Sequence, residues 1–376
     1  MKALMRPAFT KYILVVLSVL ATQFNFAKEK EEKHADDGGI VDSQEEISEY
    51  ILHHIKDAHD FHLFSYTNGD GERKHIGFPL PVIVYTSEGL RAFMSSEFHH
   101  DDSGHHIVEA DGVQLVKYHE KIYELNAGAH AVKFDHETHK PTNAASVLDL
   151  SITKSVFGIL LVGVLMLLAF GGLAKQYKND QIPTGFARFL EPLVIYVRDE
   201  IARPNIGEKK YKRFTGYLLT VFFFIWILNL FGLTPLGFNV TGQIAVTFCL
   251  ALFTFLITQF SGTKDYWKHI FWMPGVHPVM KVILAPIEVL GMFTKPFALM
   301  VRLFANISAG HIVVMSLIAI TFTLKASMGI VGSSLISIVL SFFITLIEVL
   351  VAFLQAYIFT MLSALFIGLA VEEHEH

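Results

Sequence analysis

Apolar residues in this chain come in long blocks. Runs able to cross a bilayer core of about 30 Å occupy residues 152–173, 214–233 and 244–260. Two longer runs follow, over 277–324 and 330–370. At about 1.5 Å per residue these would reach roughly 70 and 60 Å as helices, far more than an upright span needs. They are therefore expected to be steeply tilted, bent or partly horizontal, with Pro286 and Pro296 as bend points in the first. Two such helices would offer a broad side wall to a neighbour in the membrane. The pattern predicts an all-α polytopic membrane protein of about five mature membrane helices or hairpins, the last two long and tilted.

The N-terminal third is patterned differently. Residues 1–27 place Lys2, Arg6 and Lys11 ahead of an apolar stretch, 12–20, and are followed by KEKEEK, the layout of a secretory signal peptide; an uncleaved anchor is the alternative. Residues 28–148 are polar. Alternation and β-branched residues predict strands at 81–86, 113–118 and 121–125, and Asn68-Gly69-Asp70-Gly71 predicts a turn. A small β-containing, extracytoplasmic extension over 28–148 is expected, ahead of a membrane domain over 149–376.

Charge sets the orientation. The segment 175–213 carries Lys175, Lys178, Arg188, Arg198, Arg203, Lys209, Lys210, Lys212 and Arg213, and a basic excess marks a cytoplasmic loop. Within it, 185–201 alternates apolar and charged positions at helical spacing and could lie along the membrane surface. Counting spans from this loop puts the polar extension outside the cytoplasm and the VEEHEH end in the cytoplasm.

Composition adds little beyond this. Of 376 residues 52% are apolar and 17% charged, with mean hydropathy +0.44 and net charge −5. Cys249 is the only cysteine, which excludes an intrachain disulfide and a cysteine-based metal site. The extension holds 14 of the 19 histidines, some as pairs (His53-His54, His99-His100, His105-His106). Histidine-rich tracts can bind metals. No ligand spacing is recognisable in these, so solvated or packing histidines are expected and no metal or cofactor is assigned. Nothing in the sequence points to a nucleic acid.

The informative residues are the polar ones inside the long helices. Arg302 lies in MVRLFANISAGHIV, where a permanent charge costs roughly 3 to 17 kcal/mol at membrane depth. Such a residue is functional, or it snorkels or is locked in a structural pair. Glu288, Lys295 and Arg302 follow one another at intervals of seven, and Asn306 lies four further on, so one helix face carries a polar stripe. His311, nine beyond Arg302, points to the opposite side. In the last run Ser341, Glu348 and Gln355 are again seven apart. Histidine titrates near neutral pH, and buried carboxylates can be pushed up towards it, which is what a proton relay requires. The structural alternative is that Glu348 only pairs with His311 or Arg302 to fix helix packing.

These residues also match a known pattern. RLFANISAGH, preceded by TKPFALMV, resembles the signature segment of subunit a of the F-type ATP synthase, the membrane stator subunit facing the rotating c-ring. YILHHIKD (from Tyr50), GFARFLEPLVIYVRDEIARPNIGEKKYKRF (from Gly185), ILNLFGLTP (from Ile227) and FLQAYIF (from Phe353) are similar to further segments of that family, in order. The resemblance covers residues 148–376 and the short piece near Tyr50. It implies a subunit that is no enzyme by itself and works beside a c-ring and the b-subunit peripheral stalk, in lipid, in a bacterial inner membrane. Arg302 would be the essential arginine between two aqueous half-channels, with Asn306 and Gln355 as polar neighbours. Glu288 and Lys295 would lie on the cytoplasmic exit side. His311 and Glu348 match a pair lining the outer access path, here in reversed order relative to some members. Two features depart from the pattern. The insertion over 61–143 is longer than usual, and the early polar residue of the inward span is not clear, with Asn239 and Gln243 as candidates. Competing expectations are a self-contained secondary transporter, against which there is no inverted repeat, and a histidine-rich metal module on a membrane anchor, which would not need five spans.

Overall fold

The computed structural model describes residues 57–67, 73–99, 101–126, 128–129, 132–133, 141–178, 183–234, 238–273 and 275–372. The expected signal segment, most of the Tyr50 stretch and the 68–71 turn lie outside these. The chain divides into two compact units, one of residues 1–158, 234–238 and 314–342, the other of 159–233, 239–313 and 343–376.

In the first unit the described N-terminal residues form nine strands: β1 (Asp60–Thr67), β2 (Arg73–Pro79), β3 (Pro81–Thr86), β4 (Gly89–Met94), β5 (Ser103–Ala110), β6 (Val113–Tyr118), β7 (Lys121–Leu125), β8 (Ala144–Ser146) and β9 (Leu148–Asp149). The strands expected at 81–86, 113–118 and 121–125 are β3, β6 and β7. All pairings are antiparallel, in a β1–β2 ribbon, a three-stranded β4–β3–β9 sheet and a four-stranded β5–β6–β7–β8 sheet. Alternation turns Val82, Val84, Val113 and Leu115 inward, where they meet Phe98, Val108 and Ile122 in one core. The two-residue connection between β5 and β6 is Asp111-Gly112, both at positive φ, as a hairpin turn demands.

The strands run directly into the first membrane helix, α1 (Lys154–Lys178). After β9 the chain stays hydrogen-bonded to β3: Leu150 N–H donates to the Ile83 carbonyl (2.8 Å) and Ile152 N–H to that of Pro81 (3.0 Å). The free N–H groups at the start of α1 are satisfied by distant residues, Lys154 N–H donating to the Ala58 carbonyl (2.9 Å) and Ser155 N–H to Asp57 Oδ1 (2.9 Å). Phe61 stacks on Phe78 (4.6 Å) and meets Phe157 and Phe238 edge-on or tilted (5.8 and 5.2 Å), which packs the ribbon onto the first turn of α1.

The second unit is helical. The basic loop is itself structured. It holds α2 (Phe186–Tyr196), a turn of π-helix (Val197–Ala202) and a short α3 (Arg203–Ile206). Then come α4 (Tyr211–Gly232), α5 (Ile244–Ser261) and α6 (Lys264–Phe271); α6 was not anticipated from the sequence and is capped by Thr263, whose side chain accepts from Tyr266 N–H. The final helical segment, α7 (Pro278–Val371), is helical through residues 325–328, where the sequence suggested a gap, and is two limbs joined at a kink. Its break is one residue, Gly329, at φ 72° and ψ 172°. Only glycine adopts that conformation without strain, whereas the Lys325-Ala326-Ser327-Met328 before it are able helix formers. Five described segments are long and apolar enough to cross a membrane: α1, α4, α5 and residues 278–310 and 335–371 of α7.

Close packing in this unit uses small residues. Ala352, Ala356, Thr360 and Ala364 are buried at intervals of four, and Gly368 extends the series. Such a stripe lets backbones approach without help from the hydrophobic effect, which is absent between helices in lipid. A Cβ at Gly368 would run into the Asn205 carbonyl in α3. Polar bonds add to this: Tyr217 Oη meets Thr254 Oγ1 (2.7 Å), Thr254 meets Ser363 (3.3 Å), and Asn229 donates to the Ala352 carbonyl (3.4 Å) while accepting from Thr241 (2.7 Å).

Candidate functional site

The first limb of α7 carries the stripe expected from the spacing of seven. Arg302 and Asn306 are exposed on it, and Met300 and Leu303 beside them are buried, so the guanidinium lies on the outside of the subunit. Among the described residues no carboxylate lies within salt-bridge distance of Arg302. The snorkelling and locked-pair alternatives would respectively need a helix end or a partner; Arg302 is interior to the 278–310 span.

Glu348, on the second limb, is half-buried. Its Oε1 lies so close to the first limb that a Cβ added to Gly310 would sit 2.9 Å from it. That oxygen is buried and has no hydrogen-bond partner among the described residues. Buried polar atoms are nearly always partnered, so an orphaned carboxylate oxygen marks a place where water or a proton is needed. The other residue of the expected pair, His311, follows Gly310 directly on α7, but its side chain lies outside those described. Nearby, Ser308 donates to the Gly242 carbonyl (3.5 Å), tying the α5 N-terminus to the same stretch of α7. Asn239 and Gln243 flank that glycine, and both are partly buried. Gln355 is buried on the second limb.

Glu288 and Lys295 line a cavity of about 180 Å³ together with Asp265, Tyr266, His269 and Glu372. Lys295 also sits over the Phe366 ring (5.7 Å). Spacing along α7 found the first two of these residues. The other four come from α6 and from Glu372 just after α7, which the spacing of seven does not reach. Asp265 and His269, four apart beside a Thr-capped start, were the available signal. The cavity is large enough for several waters, and its walls carry carboxylate, imidazole, phenol and ammonium groups beside Ile270, Met292 and Leu369.

No three His, Cys, Asp or Glu side chains come together as a metal site among the described residues. One histidine of the extension has a built structural place instead. His59 is buried, with Nε2 2.6 Å from Asp149 Oδ2 and Nδ1 3.3 Å from Glu120 Oε2; Lys117 approaches Glu120 from the other side (3.6 Å). Burial alone would lower the imidazole pKa, but the hydrogen bonds to Asp149 and Glu120 outweigh it and raise it to about 9. Burial likewise pushes the Asp149 carboxyl up, and the bonds from His59 and Ser151 overcome this and hold it below its ordinary value.

Comparison with known proteins decides the family. The family model described as "ATP synthase A chain" matches residues 156–368, more than half of the chain. The chain belongs to the ATP synthase subunit a family. ATP synthase subunit a 2 of Chlorobaculum tepidum is 49% identical over 242 residues, 62% of this chain and 67% of the relative. ATP synthase subunit a of Chloroherpeton thalassium is 44% identical over 268 residues (67% and 78%), and that of Myxococcus xanthus 44% over 259 residues (67% and 84%). Residues 50–150 match a separate model described as a domain of unknown function (DUF8433). The chain is thus a multi-pass membrane protein and a non-catalytic, ion-translocating subunit type, with an extra domain before its first described span.

Proposed function

We propose that this chain conducts protons between the two sides of a bacterial inner membrane and the c-ring of an F-type ATP synthase, as a fixed stator beside the rotor. It makes and breaks no substrate bond. It supplies an acid–base path and one fixed positive charge. A proton from outside reaches Glu348 and His311 and passes to a rotor carboxylate, which then faces lipid as a neutral acid without the cost of a buried charge. After nearly a full turn that carboxylate meets Arg302, ionises against the guanidinium, and its proton leaves through the cavity lined by Glu288 and Lys295. Asn306 and Gln355 hold the polar surroundings of Arg302. One charge crossing 100 mV is worth about 2.3 kcal/mol, so several protons are needed per ATP.

The observation that supports this reading is the pairing of an exposed intramembrane guanidinium with a buried carboxylate oxygen, unpartnered among the described residues, on the other limb of α7. An exposed charge in a membrane wall needs a partner brought from outside the chain. The peripheral stalk of b subunits would hold the wall in place. In this reading residues 1–27 direct export, 28–148 lie outside, and the His376 end lies in the cytoplasm. The deciding experiment replaces Arg302 by Lys, which keeps a charge but loses the planar fork and can lose its proton when buried. Inverted vesicles carrying Arg302→Lys should contain assembled complex, checked by blotting, and show almost no ATP-driven acidification. Near-normal acidification would overturn the assignment.

A further inference from the structure

The β4–β3–β9 sheet in the extension has two apolar faces. One is spent on the core through Val82, Val84 and Phe93. The register places Tyr85 opposite both Leu90 and Leu148, Ile83 opposite Ala92, and Pro81 opposite Met94 on the other face. Leu150, bonded to Ile83, continues it. That second face is open: Leu148 is 61% exposed, Leu90 58%, Tyr85 57% and Leu150 56%. It carries no charged residue. An antiparallel sheet with one face in water reads polar on that face, and a contiguous exposed apolar patch marks an interaction surface.

We infer that this face rests on the lipid surface around the start of α1, making the extra domain a membrane-apposed foot. What covers the face follows from what it is joined to. The alternation that exposes Leu148 and Leu150 carries on to Ile152, and the strand enters α1 with no free linker. Its N–H groups are bonded to β3 up to Ile152, and Lys154 and Ser155 are bonded to Ala58 and Asp57. Leu148 and Lys154 are six positions apart, at most roughly 20 Å of extended chain. The apolar face is therefore held within reach of the headgroup layer and cannot swing away. It is continuous with α1, a membrane-spanning helix whose first turn exposes Val156. Interfacial elements bury their apolar side about 5–10 Å into the headgroup and acyl boundary, and tyrosine is favoured there. A folded protein partner would ordinarily be met by some charged rim for specificity; a lipid surface needs only apolar area.

The test uses the whole ATP synthase reconstituted in phosphatidylcholine–phosphatidylglycerol vesicles. In a Cys249→Ser background, with other accessible cysteines of the complex blocked, single cysteines at Leu90, Leu148 and, as control, the exposed Glu109 on β5 are spin-labelled. Collision with dissolved oxygen, which partitions into lipid, is compared with collision with an aqueous nickel chelate. The foot predicts that oxygen dominates at positions 90 and 148 and nickel at 109. Nickel dominating at all three would put the face in water and overturn the proposal. Protection from both probes would mean that protein covers it, whether another subunit or residues 1–56, and would overturn it equally. Should a label disturb the strands, Tyr85→Trp provides a second reading: quenching by lipids brominated near the headgroup is expected, and quenching by aqueous iodide alone is the contrary result.

Discussion

At the scale of single residues, the two sites proposed for proton transfer differ in how they were found. Arg302, Glu288 and Lys295 were legible because seven-residue spacing repeats on one helix face, and the exposure of Arg302 could not be read that way because it depends on which face the neighbouring helices leave open. Glu348 was legible as a lone acid in an apolar run. That its Oε1 is packed against Gly310 was not, since this needs the two limbs of α7 brought side by side. The packing makes a testable coupling. Glu348→Ala and His311→Ala should each slow ATP-driven pumping. If the two share a contact, exchanging them (His311→Glu with Glu348→His) should recover more pumping than either single exchange, and the double-mutant cycle should be non-additive. Strictly additive losses would show that they act separately. Gly310→Ala offers an independent check: its methyl would press on the Glu348 carboxylate, and pumping should fall although no titratable group has changed.

At the scale of elements, the membrane helices follow from the length of unbroken apolar runs and three strands from alternation, because lipid demands apolar residues all round and a one-sided core imposes a period of two. What periodicity missed lies where local rules compete. β9 is only two residues long and exists through pairing with β3. The π-turn at Val197–Ala202 looks helical in sequence and differs only in hydrogen bonding. The two apolar runs leave a gap over 325–329, whereas the chain breaks at a single positive-φ residue, Gly329. The small-residue stripe is an element-scale device as well. Its last member lies against backbone, which cannot rotate away as a side chain would. Gly368→Val should therefore displace the end of α7 from the Asn205 region and reduce the amount of subunit recovered in the complex, read by blotting purified complex. Wild-type recovery would show that the approach is looser than drawn. Gly291→Ala, at a position where an added methyl meets nothing, should be recovered normally.

At the scale of the whole molecule, the strand-rich extension passes through β9 into the start of α1 without a free linker. The resemblance marks the insertion over 61–143 as longer than usual; it does not reveal that β9, where the extension meets α1, is held by a buried charge cluster, since His59, Lys117, Glu120 and Asp149 are far apart in the chain. Deleting 61–143 should leave pumping per assembled complex largely intact, because every residue proposed for proton transfer lies beyond 280. Loss of pumping in a normally assembled complex would make the extension part of the path.

The cluster also gives the attachment a pH dependence with a definite sign. Both ring nitrogens of His59 face carboxylates, so the imidazolium, which donates from both, is the form that fits. Its folded pKa is raised from 6.5 to about 9. A raised pKa stabilises the folded form fully below 6.5; the contribution shrinks as pH rises through this interval and is gone above about 9. Asp149, held low, contributes in the opposite sense, and its share is lost only in acid, as pH falls through its folded value. Hydrogen exchange of amides 150–155 in the intact complex, corrected for intrinsic rates, should therefore show protection declining between pH 6.5 and 9. His59→Gln cannot carry the charge and leaves two carboxylates without their shared cation, a loss on the order of 3 kcal/mol for a buried pair. That variant should exchange faster at pH 6.5 and show no further decline towards pH 9. A wild-type profile as flat as the variant's would mean that the imidazolium does not hold the domain onto α1.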